Sequence, residues 1–312
     1  MKKSSNTFLQ DVIEGLSNTD KYLSSKYFYD EKGSLIFQEI MKMEEYYLPE
    51  CEMEIIKEQS FQIANQIPFE EMDVIELGAG DGSKTVEFLE WAIKSGKKLT
   101  YFPLDISAEI LDINQNIVNQ RLPDLQVNLL PGDYFHTIDR LRERTPPRLV
   151  MFMGSNIGNF TGDTSVEFIR MINDFLNPGD FFLMGVDLKK NPQTISAAYN
   201  DRKGITKRFN LNLLERINRE LGGDFDLQNF DHFGTYDPLN GTAMSFLVSL
   251  KKQEVIIPGH SFWFDPYEVI HTEVSQKYSL KDLDSLAEKT GFSWDMHFTD
   301  NREYFSLSLF SK

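Results

Sequence analysis

The chain has 312 residues, 41% of them hydrophobic and 13% aromatic, with 32 Lys and Arg against 48 Asp and Glu for a formal charge of −16. That acidity argues against nucleic acid and anionic membrane surfaces as partners, because neither polyanion would meet a basic face. The single cysteine, Cys51, excludes an internal disulfide and a cysteine-rich metal site.

With 25 Phe and 12 Tyr there is ample material for a core, and the length fits one large or two moderate domains. No apolar run approaches the roughly 18–20 residues that span a bilayer. The opening MKKSSNTFLQDVIEG has two lysines but no apolar stretch of a secretory signal. The expectation is a soluble cytoplasmic protein and, with no long heptad pattern, a monomer.

The first 50 residues read as helices: Leu35, Ile36, Phe37, Ile40 and Met41 fall near helical spacing. Pro49 then fits the first helical position, with Glu50, Glu52 and Glu54 in the opening turn. From residue 72 the pattern becomes short apolar runs, 72–77, 99–104, 126–130, 149–153 and 180–186, alternating with helical stretches at 83–95, 107–120, 135–143 and 163–175. Such alternation predicts a parallel sheet covered by helices on both faces. Residues 188–277 break the rhythm with a helical region around Gly204 and a β-rich piece, in which SFLVSLKKQEVII reads as two strands joined at Lys251-Lys252. A helix at 279–290 and strands at 292–298 and 303–310 close the chain. This organisation predicts an α/β fold with an inserted α+β domain. The sheet domain takes 53–187 and 278–312, and 1–52 with 188–277 form the second domain over the sheet's carboxyl edge.

The strongest local motif is VIELGAGDGSKT at 74–85, a strand, a glycine-rich turn and a helix start. Three readings compete. A phosphate loop would place a second glycine where Ser83 stands, and the dinucleotide pattern G-x-G-x-x-G has its third glycine one residue early. The E-x-G-x-G turn that binds S-adenosylmethionine (SAM) fits as it stands. Context favours SAM: Asp105 in FPLDIS follows the second strand, where a carboxylate binds ribose hydroxyls. Asp133 and Tyr134 in LLPGDYF follow the third strand, within reach of an adenine amino group and ring. The fourth strand ends in MGSNIGNF, with no acidic magnesium-binding end. The five histidines, His136, His232, His260, His271 and His297, have no metal-ligand spacing, so no metal is expected.

The stretches KYFYDEKGSLIFQEI, EEYYLPE, IELGAGDGSKT, PLDIS, GDYF, MGSNIGNF, GVDLKKNPQTISAAYNDRKGITKRFNLNLLERINRELGGDFD and HTEVSQKY resemble, in order and over nearly the whole chain, the histidine-specific SAM-dependent methyltransferase family. That family is typified by the ergothioneine-pathway L-histidine Nα-methyltransferases. The resemblance implies a Rossmann-like class I methyltransferase sheet with an inserted substrate-binding domain. It implies that Gly78, Gly80 and Lys84 hold the methionine part of SAM, Asp105 the ribose, and Asp133 with Tyr134 the adenine. For the amino-acid substrate it implies Asn159 and Tyr199 at the carboxylate, Tyr29 and Tyr46 (or Tyr47) around the amino group and ring, and Glu273 with Ser275 at the imidazole. Tyr29 is the implied catalytic candidate, on a tyrosine or water path for the amine proton. Without the resemblance, the aromatics of 27–47 would read as core.

Glu273 and Ser275 are two apart in an expected strand, a carboxylate and a hydroxyl able to satisfy both imidazole nitrogens, whereas an indole offers one N–H. In the family a methionine of the inserted strand contacts the substrate ring. Here Met244 matches, but a shift of one residue puts Ser245 there, on the opposite face. Two alternatives therefore stand beside histidine methylation: the same chemistry on another amine such as tryptophan, and a non-catalytic protein that keeps the fold.

Overall fold

A computed structural model describes residues 2–312, with side-chain surroundings given for 7–293 and 296–312. Helices α1 (Lys2–Ser17), α2 (Glu31–Ile40) and α3 (Leu48–Gln66) open the chain. Then come β1 (Glu71–Leu77), α4 (Thr85–Lys94), β2 (Lys98–Asp105), α5 (Ala108–Arg121), β3 (Gln126–Val127), β4 (Leu130–Pro131), α6 (Tyr134–Thr137), β5 (Arg148–Phe152), α7 (Asp163–Phe175) and β6 (Phe181–Asp187). The inserted part holds α8 (Pro192–Tyr199), α9 (Ile205–Leu221), β7 (Phe230–Asp237), β8 (Thr242–Ser249), β9 (Gln253–Ile257), β10 (His260–Phe264) and β11 (Val269–Gln276). The chain ends with α10 (Leu280–Thr290), β12 (Ser293–Thr299) and β13 (Phe305–Ser311). None of these helices is long and apolar enough to cross a membrane.

Two compact units emerge, 48–189 with 276–312, and 1–47 with 190–275. The boundary at 47/48 lies ahead of the 52/53 junction read from sequence. The reason is local: α3 begins at Leu48, and Glu52, its fifth residue, bonds to Lys84 and Gly154 of the sheet unit. Leu188 and Tyr278 likewise pack in that unit's core.

The sheet of the first unit runs β12-β13-β6-β5-β1-β2-β3, with β4 also on β2. Its strands from β1 to β6 are parallel to their neighbours, and β12 and β13 run antiparallel at one edge. Strands β5 and β6 are buried at every residue, as a sheet covered on both faces requires. Ile75, Phe152, Phe168, Phe182 and Leu283 are among the side chains that fill the core. From β1 the chain works outward through β2, then returns to β5 on the other side. The carboxyl ends of β1 and β5 therefore flank the point where strand order reverses, the usual ligand crevice of such sheets. Two details differ from the sequence reading. The run 126–130 splits into β3 and β4, which pair with β2 separately, at Thr100–Tyr101 and at Leu104–Asp105. The helix read at 135–143 is a single α-turn, α6, followed by a 3-10 turn at 138–141.

The second unit has its own core, which includes Phe8, Phe28, Ile36, Leu213, Leu247 and Phe264. Its sheet order is β11-β8-β7, and β9 pairs with β10. The two strands of SFLVSLKKQEVII therefore belong to different sheets. The helical region around Gly204 is broken after Tyr199, and Asp201 caps the new helix by accepting from Ile205 and Thr206 N–H, each at 2.8 Å.

Candidate functional site

In the sheet unit the candidate cofactor residues gather at the carboxyl ends of β1, β2 and β4. Gly78 and Gly80 adopt φ of +68° and +54°, a conformation that only glycine holds cheaply, and this reverses the chain between β1 and α4. The turn is pinned from β2: the Leu104 carbonyl accepts Gly78 N–H at 2.8 Å and Ala79 N–H at 3.0 Å. Asp105 then accepts Gly80 N–H on Oδ2 and Ser107 N–H on Oδ1, each at 3.1 Å, while its carbonyl accepts Gly132 N–H at 2.9 Å. One side chain thus ties the glycine turn to the start of α5. Asp133 is exposed and caps α6 through Phe135 N–H at 2.8 Å. Tyr134 is half-buried edge-on against Phe152 and Phe168, and its hydroxyl is pushed up to about 12 by desolvation, then by Asp133 and Asp105. Asn114, unnoticed in the sequence, donates to the Gly80 carbonyl at 3.1 Å and holds the turn from α5.

Beneath the turn lies Glu76, 2% exposed, which accepts from Thr85 Oγ1 at 2.6 Å and from the Tyr101 hydroxyl. Desolvation pushes its carboxyl up to about 7, partly offset by those hydrogen bonds and by Lys84. A carboxyl raised on folding from the ordinary 4.5 gives stability that is fully present below that value and is lost as pH climbs through 7. The loss amounts to about 3 kcal/mol. Glu76→Gln is therefore expected to flatten the fall in thermal stability across this window, so that the variant gains on the parent as pH rises. A pH series of melting curves checks this, and parallel curves would contradict it.

Lys84 makes an ion pair with Glu52, and Glu52 also accepts Gly154 N–H at 2.6 Å. Asn159 ends the 3-10 turn Asn156–Asn159 after β5 and is exposed.

The second unit brings together Tyr29, Tyr199 and Glu273. Tyr29 packs edge-on against Phe37 and Phe209 at ring centroid distances of 5.3 and 5.7 Å. Its side chain is 51% accessible, yet desolvation of the hydroxyl raises its pKa, followed by the nearby Glu273 charge and Tyr199. Tyr199, 6% exposed, is the last residue of α8, and the next residue fixes it: Asn200 accepts Gly234 N–H at 2.9 Å and donates to the Gly234 carbonyl at 2.8 Å. In the Tyr199-Asn200-Asp201 run, the Asn ties the helix end to β7 and the Asp caps α9.

Glu273 accepts a hydrogen bond from Ser245 Oγ at 3.2 Å. Ser245 is fully buried opposite Gly234, whereas Met244 is half-buried opposite Thr235. Ser245 is thus bonded to Glu273, and Met244 stands one step before it on β8. Ser275 is buried near the end of β11. Tyr46 is half-buried and packs on the second unit's core, while Tyr47 is buried with its hydroxyl accepting from Lys190 Nζ at 2.8 Å. Among the described residues no group of three or more His, Cys, Asp or Glu is arranged to hold a metal ion.

The donor set of the sheet unit fits SAM. Carboxylates, Asp105 and Asp133, stand at the ends of β2 and β4, a chemistry that suits hydroxyl and amino donors, and the lysine of the turn is already neutralised by Glu52, which suits a nucleoside without phosphates. Residues 8–312 match the family model of the histidine-specific, SAM-dependent methyltransferases. The chain is 31% identical over 305 residues to a histidine N-alpha-methyltransferase of Mycobacterium tuberculosis, covering 97% of this chain and 94% of that one. It is 32% identical over 303 residues to that of Mycolicibacterium smegmatis, covering 96% and 93%. An ergothioneine biosynthesis protein 1 of Schizosaccharomyces pombe is 31% identical over 280 residues, 86% of this chain and 36% of that longer protein. The match from residue 8 to the last residue, together with the SAM turn, makes this chain a member of the histidine-specific, SAM-dependent methyltransferase family.

Proposed function

We propose that the protein transfers the methyl group of SAM to the α-amino nitrogen of L-histidine, three times in succession, giving Nα,Nα,Nα-trimethylhistidine as a step towards ergothioneine. The observation that carries this reading beyond family membership is the Tyr29–Tyr199–Glu273 cluster, with Ser245 bonded to Glu273. A carboxylate braced by a hydroxyl is an acceptor for an imidazole N–H, and Ser275 supplies a second polar group for the other ring nitrogen. Asn159 and Tyr199 are assigned to the substrate carboxylate, and Tyr29 with Tyr46 to the amino group.

SAM, when bound, supplies an electrophilic methyl whose leaving group is a neutral thioether, so no acid is needed for departure. The protein's contribution is to hold the amine in line and to let it shed its proton. Tyr29, with its pKa raised, is a neutral phenol near neutral pH. It acts as a hydrogen-bond partner that orients the amine lone pair, and the proton leaves to solvent rather than to a phenolate. Its aromatic face, with that of Tyr46, also tolerates the methylated ammonium as charge becomes permanent.

A second reading, methylation of tryptophan, draws on the small Ser245 beside Glu273, which leaves more room than a methionine would. Initial rates with both amino acids at equal concentration separate the two. Faster turnover of histidine supports the primary reading, and turnover of tryptophan alone would overturn it.

A further inference from the structure

Glu52 is a carboxylate that the roles above leave without a purpose. It is the fifth residue of α3, 1% exposed. Oε1 accepts Gly154 N–H at 2.6 Å and Oε2 holds the Lys84 ammonium, whose side chain is 26% accessible. Space for it is built into β6: a Cβ on Gly185, in mid-strand, would stand 2.9 Å from Glu52 Oε1 and 3.2 Å from Gly154 N.

Stability does not explain this pair. Taking a carboxylate and an ammonium out of water costs several kcal/mol per ion, and a packed apolar pair generally does as well. The location is informative instead. Lys84 follows the β1 turn and Gly154 follows β5, so Glu52 bridges the two strand ends at which the sheet order reverses.

We propose that Glu52 is a positioning residue for the amino-acid end of SAM. It anchors the Lys84 ammonium at the glycine turn, so that the two further donors of that ammonium meet the methionyl carboxylate. It also cancels the lysine charge, which suits a zwitterionic end and disfavours a phosphate. This rests on reading Lys84 as a ligand of the methionyl group.

Calorimetry with two probes tests the idea: S-adenosylhomocysteine, and 5′-methylthioadenosine, which keeps the nucleoside but lacks the amino-acid end. Glu52→Gln is expected to weaken S-adenosylhomocysteine about 30-fold, the loss of one charge-assisted contact, and to leave methylthioadenosine within about twofold. Equal weakening of both probes, or no change in either, overturns the proposal. Lys84→Met separates the two levels. If it leaves S-adenosylhomocysteine binding intact, the assignment of Lys84 fails; if it weakens binding while Glu52→Gln does not, only the role of Glu52 fails. Gly185→Ala, which displaces the carboxylate without removing it, is expected to give the same probe-selective loss even if Glu52→Gln does not fold.

Discussion

Asp105→Ala is expected to weaken S-adenosylhomocysteine binding about 100-fold or more, the largest effect of any single change at the cofactor turn. The carboxylate accepts from Gly80 and Ser107 N–H at 3.1 Å each, so its loss leaves two backbone donors unmet and frees the glycine turn from the start of α5. On the proposed assignment the ribose acceptor disappears with it. Asp105→Asn keeps the shape and one acceptor oxygen and is expected to lose about tenfold. Calorimetric titration measures both, and a melting curve shows whether the fold survives. Asp105→Ala that binds as tightly as the parent would remove Asp105 from the cofactor site.

Glu273→Ala should raise KM for histidine about 100-fold, with a smaller change in kcat. On the proposed assignment the carboxylate binds the ring and does not touch the transferring methyl. The variant deprives Ser245 Oγ of its acceptor at 3.2 Å and removes the negative charge next to Tyr29. The affinity for S-adenosylhomocysteine is expected to stay within about twofold, since the cofactor residues belong to the other unit. If that affinity falls in step with histidine turnover, Glu273 supports the fold rather than the substrate.

Much of this was legible in the sequence because it is written in short range. The turn at 78–80 follows from its glycines, and the buried strands are continuous apolar runs. What escaped is long range. Glu52 reads as an ordinary first-turn carboxylate because its partners Lys84 and Gly154 are 32 and 102 residues away. The bond between Ser245 and Glu273 joins residues 28 apart on β8 and β11, a partnership that local hydrophobicity does not foretell. Asn200 offered no clue either, since its two bonds run to the backbone of Gly234, and a backbone partner leaves no mark on composition.

The most direct test of histidine as the substrate is incubation with SAM and L-histidine followed by mass spectrometry with fragmentation. The prediction is three successive increments of one methyl each, all retained on the α-amino nitrogen and none on the imidazole. Histidine left unmodified, or methylated on the ring, would contradict the account.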